Sequence, residues 1–323
     1  MSEKSCLVLD SGAIKGIYII GALKYLEELG KLHKYTHYVG SSVGALLCLL
    51  LVLGYNTTEL DKMVLETDFQ KLVMDNWMRI PYNLLMNNGL NTGDSLIKWV
   101  GDVLEKHNYS KNITFSELFE HTGKCLVMTG TSISSRQTFY FNHLTFPNTK
   151  VLEALRISIS IPLFFTTKDY VIEDKSHTFV DGAVLMKYPF YYVNVCEKVG
   201  RYIRTYEEIY DSKIDPTIHC KTTGILLVDE ANKNHKQLYT GFTKVSNIRS
   251  YIMALLNCVY TGLERYIVED PFDSTIETFW NNSICIQPLE SIVDSTAKFD
   301  VTKDQKLEMM KHGYHCAKEQ YSI

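Results

Sequence analysis

Apolar and polar positions along this chain switch between two periods. Cys6 to Leu9 is an apolar run that stops at Asp10 and Gly12, as a buried strand and turn would. From Gly16 the spacing becomes helical: Ile17, Ile20, Leu23 and Leu26 share one face, and Gly30 marks the C-terminal cap. His37–Gly40 predicts a second short strand. Val43 to Leu53 is apolar on every side and ends at Gly54, which predicts a buried helix. Strand, helix, strand, helix within 54 residues is parallel βαβ construction.

The middle of the chain is more mixed. Helices are expected at Thr58–Glu66, Asp94–His107 and Phe115–Thr122, each with a capping Thr or Asp before or at its start. Trp77 to Gly93, "WMRIPYNLLMNNGLNTG", has apolar bulk, a proline and turn residues but no period, and reads as an irregular surface excursion. "CLVMTGTSI", "QTFYF" and "HTFVDGAV" are strand-like, and "VLEALRISIS" is helical. After Pro189 the pattern predicts a helix, a strand at Gly224–Val228, a long helical stretch near 247–267, a strand at "SICIQ" and a last helix over Thr302–Glu319. With no repeat or linker, the expectation is one domain over 1–323, with an insertion around 55–112 and a helix-rich part over 191–323.

Composition narrows the partners. A hydrophobic share of 46% supports a sizeable core, and a net charge of −4 argues against a nucleic-acid partner. The eight cysteines (6, 48, 125, 196, 220, 258, 285 and 316) are scattered singly through apolar runs, as reduced core thiols of an intracellular protein would be. The first strand begins within a few residues of Met1, leaving no room for a signal peptide. The longest apolar run, Ala45 to Leu53, is too short to cross a bilayer, which takes about 20 residues. A cytoplasmic protein, soluble or peripheral at membranes, is expected.

Three stretches carry chemistry. Gly40-Ser-Ser-Val-Gly44 is a G-x-S-x-G segment between a strand and a helix, where a serine sits on a strained turn. The N-terminus of the following helix faces the developing charge. Asp10 to Gly16, "DSGAIKG", lies between the first strand and helix, and its small residues leave backbone N–H groups bare. It matches neither a Walker A loop nor G-x-G-x-x-G, so no nucleotide cofactor is expected. Because the two strands are neighbours, both turns fall at one sheet edge, and the N–H groups of Gly12 and Ala13 can serve Ser42 as an oxyanion hole. The third stretch places Asp181-Gly182-Ala183 at the end of an apolar strand, read from the residues alone either as a functional carboxylate or as an Asp-Gly turn.

In this order the three stretches resemble the patatin-like phospholipase family, whose pattern is a D-G-G-G-x-R-G loop, a G-x-S-x-G elbow and a D-G-[GA] motif. "RISISIPLFF" is similar to the segment before the family's Asp motif, and "MKYPF" to the N-x-P step after it. The resemblance runs from about Cys6 to Pro189. It implies an α/β, three-layer αβα sandwich with a mostly parallel central sheet, and a Ser–Asp dyad without histidine. Ser42 is then the nucleophile and Asp181 the general base, with Gly12 and Ala13 the oxyanion hole. Asp10, Ser11, Lys15, Gly16, Gly40, Gly44, Gly182 and Ala183 complete the motifs. The implied substrate is an acyl-ester lipid met at a membrane surface. No cofactor or metal is expected, calcium dependence is not expected because the sequence has no aspartate-rich calcium loop, and whether an activating protein partner is needed stays open.

The chain departs from the pattern at Ser11, Ala13, Lys15 and Lys187, the last replacing asparagine. A side chain at 13 fits if that residue keeps a negative φ. Two rivals remain: a lipid-binding protein that has lost turnover, and a Ser-His-Asp hydrolase drawing on His219, His235, His312 or His315. The loop lacks the H-G-G-G histidine of the latter, and these histidines read as surface residues. His312 and His315 share a helix face but have no accompanying carboxylate motif, so zinc is not expected. Trp77, Ile80, Tyr82, Leu84, Leu85 and Met86 form an apolar cluster, expected either to pack on the core as an insertion or to act as a lid or interfacial anchor.

Overall fold

A computed structural model describes residues 5–74, 77–199, 202–205, 221–228, 280–289, 291–292 and 299–321. The helical stretch expected near 247–267, together with His219, His235, Cys220 and Cys258, lies outside the described residues.

Five parallel strands form the body of the central sheet. In spatial order they are β10 (Ser283–Ile286), β9 (Lys221–Leu227), β1 (Ser5–Leu9), β2 (His37–Gly40) and β4 (Cys125–Ser132). Beyond β4 the sheet turns antiparallel, through β5 (Gln137–Phe141), β8 (Lys175–Asp181) and β7 (Lys168–Ile172). A separate pair joins β3 (Gly89–Asn91) to β6 (Leu163–Phe165).

Parallel strands are covered on both faces, and side chains in a strand alternate between them. In β1, Leu7 and Leu9 enter one core and Cys6 and Val8 the other. The first core is closed by α1 (Gly16–Glu28), α2 (Val43–Val52), α3 (Thr57–Glu66), α6 (Asp94–Lys106), α8 (Val151–Ser158) and the last helix, α11 (Lys303–Tyr321). The second is closed by the segment running from α9 (Ala183–Met186) through Tyr188 and Phe190 into α10 (Tyr192–Val199). The result is the three-layer αβα sandwich. Within the described residues, the predicted helices stand within a residue or two of their expected places. α3 is capped by Asn56 and α7 (Phe115–Thr122) by Thr114, each in a reciprocal box with the Glu three residues on.

The excursion over 77–93 is not irregular, which corrects the sequence expectation. A short α4 (Phe69–Val73) precedes it. It then forms a 3-10 turn (Trp77–Arg79), the helix α5 (Ile80–Asn87) and strand β3. Pro81 fits the first turn of α5, and Asn88 in the left-handed region (φ 58°) ends it. No core-facing stripe signals this helix, because the buried residue it offers is Asn83, whose side-chain amide donates to the Leu90 carbonyl. Met78, Tyr82, Leu85 and Met86 are instead 66, 64, 81 and 65% exposed, and Leu84 is exposed as well. Packing on the core is thereby ruled out for these side chains.

Candidate active site

β-Sheet register brings the three motifs together. β4 has two edges, and β5 occupies one of them from Met128 to Ser132. β2, paired up to Met128, and β8, paired from Gly130, therefore share the other edge. They run toward each other and stop with Thr129 between them. Ser42 follows the end of β2, and Asp181 ends β8. The antiparallel arrival of β8 is what places a carboxylate before the turn that follows β2.

The turn itself is tight. Ser42 has φ 53° and ψ −124°, a conformation that costs a non-glycine residue about 1–3 kcal/mol. A side chain on Gly40 would overlap the backbone of Gly44, and one on Gly44 would strike the Leu9 carbonyl at the end of β1. The two glycines therefore let α2 begin directly against the neighbouring strand. The Ser42 N–H donates to Ser158 Oγ at 3.0 Å, which ties the elbow to the end of α8.

Ser42 Oγ donates to Asp181 Oδ2 at 2.6 Å, and both residues are buried. Asp181 is held from several sides. Its N–H donates to the Ser160 carbonyl, the next N–H, of Gly182, donates to the Ser158 carbonyl, and Oδ1 accepts from the Ala183 N–H at 2.8 Å. Burial pushes the Asp181 carboxyl up to about 7, against the opposing pull of the hydrogen bonds from Ser42 and Ala183. Such a carboxylate is far more basic than one in water.

The loop Asp10–Gly16 is anchored by its first residue. Buried Asp10 accepts from the N–H of Ser11 (2.7 Å) through Oδ1 and from the N–H of Leu227 (2.8 Å) through Oδ2. Lys187, which stands in place of the family asparagine, puts Nζ 3.3 Å from Asp10 Oδ2 and donates to the Leu227 carbonyl. It thus pins the segment after Asp181 to the loop after β1. Ala13 does not meet the condition under which its side chain fits without strain: its φ is +49°, not negative. The loop keeps the left-handed path that glycine would take freely, and the methyl group bears the strain. Among the described residues, neither the Gly12 nor the Ala13 N–H has a protein acceptor.

Ala13, Gly16, Ser42 and Val43 open onto an apolar cavity. It follows α2 along Leu46, Leu47 and Leu50, and its far wall comes from Leu60 and Val64 of α3, Phe69 and Val73 of α4, and Leu96 and Trp99 of α6. From Val43 to Leu50 the helix rises about 10 Å. Phe299, from the segment before α11, completes the lining beside Phe164.

The sequence motifs Asp10–Gly16, Gly40–Gly44 and Asp181–Ala183 thus lie in one place. Sequence reasoning did not single out Ser158, Arg156 or Phe299. Ser158 meets Ser42 across 116 residues of chain. Arg156 is buried, donating to Ser160 Oγ and to the carbonyls of Thr92 and Thr166. The only signal for Ser158 and Arg156 was that both fall in "RISISIPLFF". His312 and His315 lie on α11, where His312 Nε2 is 2.8 Å from the Gln287 carbonyl. The six described cysteines are free thiols, four of them buried. Among the described residues, no cluster of potential metal ligands occurs, and no helix is long and apolar enough to cross a membrane.

Comparison with known proteins places the chain in a family. A probable lipid hydrolase of Invertebrate iridescent virus 6 is 30% identical over 184 residues, 57% of this chain and 61% of the viral protein. An uncharacterized protein of Acanthamoeba polyphaga mimivirus, R571, is 24% identical over 321 residues, 99% of this chain and 94% of that one. The chain spans less than two thirds of the first of these relatives. Among solved structures, VipD from Legionella pneumophila shares the fold, with a TM-score of 0.55 at 15% identity over 99% of this chain and 67% of that chain. The model of patatin-like phospholipases matches residues 7–193, and the chain belongs to that family.

Proposed function

We propose that the protein is a lipid acyl hydrolase of phospholipase A or lysophospholipase type, working through a Ser42–Asp181 dyad and a covalent acyl-enzyme. The observation that carries this reading is the 2.6 Å hydrogen bond from Ser42 Oγ to a buried carboxylate, at the mouth of an apolar cavity. Asp181 takes the hydroxyl proton as Ser42 Oγ attacks the ester carbonyl. Its raised pKa suits it to this work near neutral pH. The carbonyl oxygen gains negative charge beside the bare N–H groups of Gly12 and Ala13, and a donor of this kind is worth about 2.7–4 kcal/mol in the transition state. Asp181 then returns the proton to the departing alcohol or lysophospholipid. Water, deprotonated by the same carboxylate, releases the fatty acid.

The cavity accounts for the acyl part of the substrate. Its walls offer hydrocarbon on every side along α2, and burying each methylene of a chain there gains about 0.8 kcal/mol. The relative from Invertebrate iridescent virus 6, described as a probable lipid hydrolase, supports the same substrate class.

The direct test is fatty-acid release from phospholipid and from a short-chain soluble ester. The wild-type protein should release it, and Ser42→Ala and Asp181→Asn should each remove turnover, by about 10⁴-fold by analogy with other serine hydrolases. A wild-type protein that binds lipid vesicles but hydrolyses neither substrate would leave the lipid-binding alternative standing.

A further inference from the structure

We propose that the outward face of α5, with the basic groove beside it, docks the protein onto an anionic phospholipid surface. The inference rests on the lipid-hydrolase reading and names the partner of the same site. Two observations meet here. The first is that α5 is inside-out: Asn83 is its buried residue, while Met78, Tyr82, Leu84, Leu85 and Met86 face solvent around it. An isolated exposed leucine needs no explanation, but a run of large apolar side chains held out on a folded helix marks a contact surface. Between Asn76 and Gly93 the sequence has one charge, that of Arg79, and it is positive.

The second observation is the groove. It is bordered by Lys98, Lys111, Lys150, Arg156 and Lys168, with Asp94 and Glu153 as its acids. Two of the cations are engaged: Lys111 pairs with Asp102 and Glu105, and Arg156 is sunk in its hydrogen bonds to Ser160, Thr92 and Thr166. Lys98, Lys150 and Lys168 are exposed and have no carboxylate within ion-pair distance among the described residues. Three exposed ammonium groups around one depression, without a direct ion pair among the described residues, suit lipid phosphates.

The two features adjoin each other and the acyl cavity. The Thr167 N–H donates to the Asn87 carbonyl at the end of α5, and Thr167 lines the groove. β6 ends with Phe165 in the acyl cavity, and the next residue, Thr166, is in the groove. α6 divides in the same way, giving Leu96 and Trp99 to the cavity and Ile97 and Lys98 to the groove. A bilayer that held its tails against α5 and its headgroups against the lysines would therefore meet the protein one strand away from the cavity that reaches Ser42. The arrangement is that of an interfacial helix with apolar anchors and flanking cations.

Vesicle sedimentation of the full chain tests the proposal, using the Ser42→Ala protein so that no lipid is consumed. Vesicles of phosphatidylcholine with 30 mol% phosphatidylserine, about a third of the lipid, should bind far better than phosphatidylcholine alone. Lys98→Gln/Lys150→Gln/Lys168→Gln should lose roughly a hundredfold of the affinity for the anionic vesicles, at about fivefold per lysine. Tyr82→Ser/Leu85→Ser/Met86→Ser should lose binding to both vesicle types. The same changes in the active protein should leave turnover of a soluble short-chain ester unchanged, because none of these side chains lines the cavity. Vesicle binding equal to wild type in both triple variants, or no vesicle binding by the parent, overturns the docking face whatever the hydrolase does. Normal vesicle binding with no ester turnover in the active protein overturns the hydrolase reading instead. Loss of soluble-ester turnover in parallel with vesicle binding would show a structural role and also refute the proposal.

Discussion

Two short helices of this protein, α2 and α5, both carry several large apolar side chains and meet opposite fates. α2, "VGALLCLLLV", is buried almost throughout, lies against β1, β2 and β4, and starts at the strained Ser42. α5, "IPYNLLMN", turns its leucines, tyrosine and methionine to solvent and buries an asparagine. Hydrophobicity alone does not place a helix inside. α2 is delivered to the core by the strand before it and by glycines that remove every obstacle to close approach. α5 follows the 3-10 turn at Trp77–Arg79, is held by an Asn83 amide, and leads into the short strand β3. The first helix starts at Ser42 and walls the apolar cavity proposed to take the acyl chain, and the second is the one proposed to meet the lipid phase.

If that contrast is right, truncation should separate the two helices by the widest margin. Leu49→Ala in α2 should destabilise the protein by about 2–5 kcal/mol, whereas Leu85→Ala in α5 should stay within about 0.5 kcal/mol. Denaturant unfolding measures both. A large cost at Leu85 would mean that α5 packs against the body of the protein in solution.

The head of α2 gives the next largest effect. Asp181 is raised to about 7 in the fold and titrates near 3.9 in an unfolded chain, so the folded state holds a proton that the unfolded state has released. The wild-type protein should therefore lose stability as pH climbs from about 4 through 7. Asp181→Asn should gain little at pH 4 and roughly 2–4 kcal/mol at pH 8, while losing turnover. Thermal unfolding of both proteins across that range reads the difference. Ester hydrolysis should show the matching profile, with kcat/KM falling about tenfold per pH unit below 7. A flat profile would mean that Asp181 is not the base.

Smaller effects probe the space between α2 and its neighbours. Val64→Phe, on the far wall of the cavity, should lower kcat/KM on long acyl esters by about 10–200-fold while sparing acetyl or butyryl esters. A uniform loss over all chain lengths would place the acyl chain elsewhere. Smallest is Ala13→Gly. Relief of a left-handed alanine should stabilise the protein by about 0.5–1 kcal/mol with turnover retained, as unfolding and a soluble-ester assay would show.

The sequence made α2 legible and left α5 obscure, for a physical reason. Period and punctuation report burial, so elements that fill a core announce themselves: Ile17, Ile20, Leu23 and Leu26 in α1, or the Thr114–Glu117 box before α7. A helix with its apolar residues outward has no such stripe. The first two motifs could be read as neighbours because β1 and β2 follow the βαβ rule, whereas Asp181 joined them only through the family resemblance. The meeting of β2 with β8 on one edge of β4 depends on long-range register, and Ser158 was invisible for the same reason. Ala13 is a further case. Its side chain would be free of strain only at negative φ, but Asp10, Leu227 and Lys187 fix the loop from outside and leave the alanine to adapt.

The central claim is that the Ser42 hydroxyl is the group that becomes acylated. Reaction of the active protein with a fluorophosphonate, followed by peptide mass mapping, tests it most directly. One adduct on Ser42, slowed strongly by Asp181→Asn and absent in Ser42→Ala, is the predicted result. An adduct on a different residue, or full ester turnover in a protein whose Ser42 stays unlabelled, would contradict it.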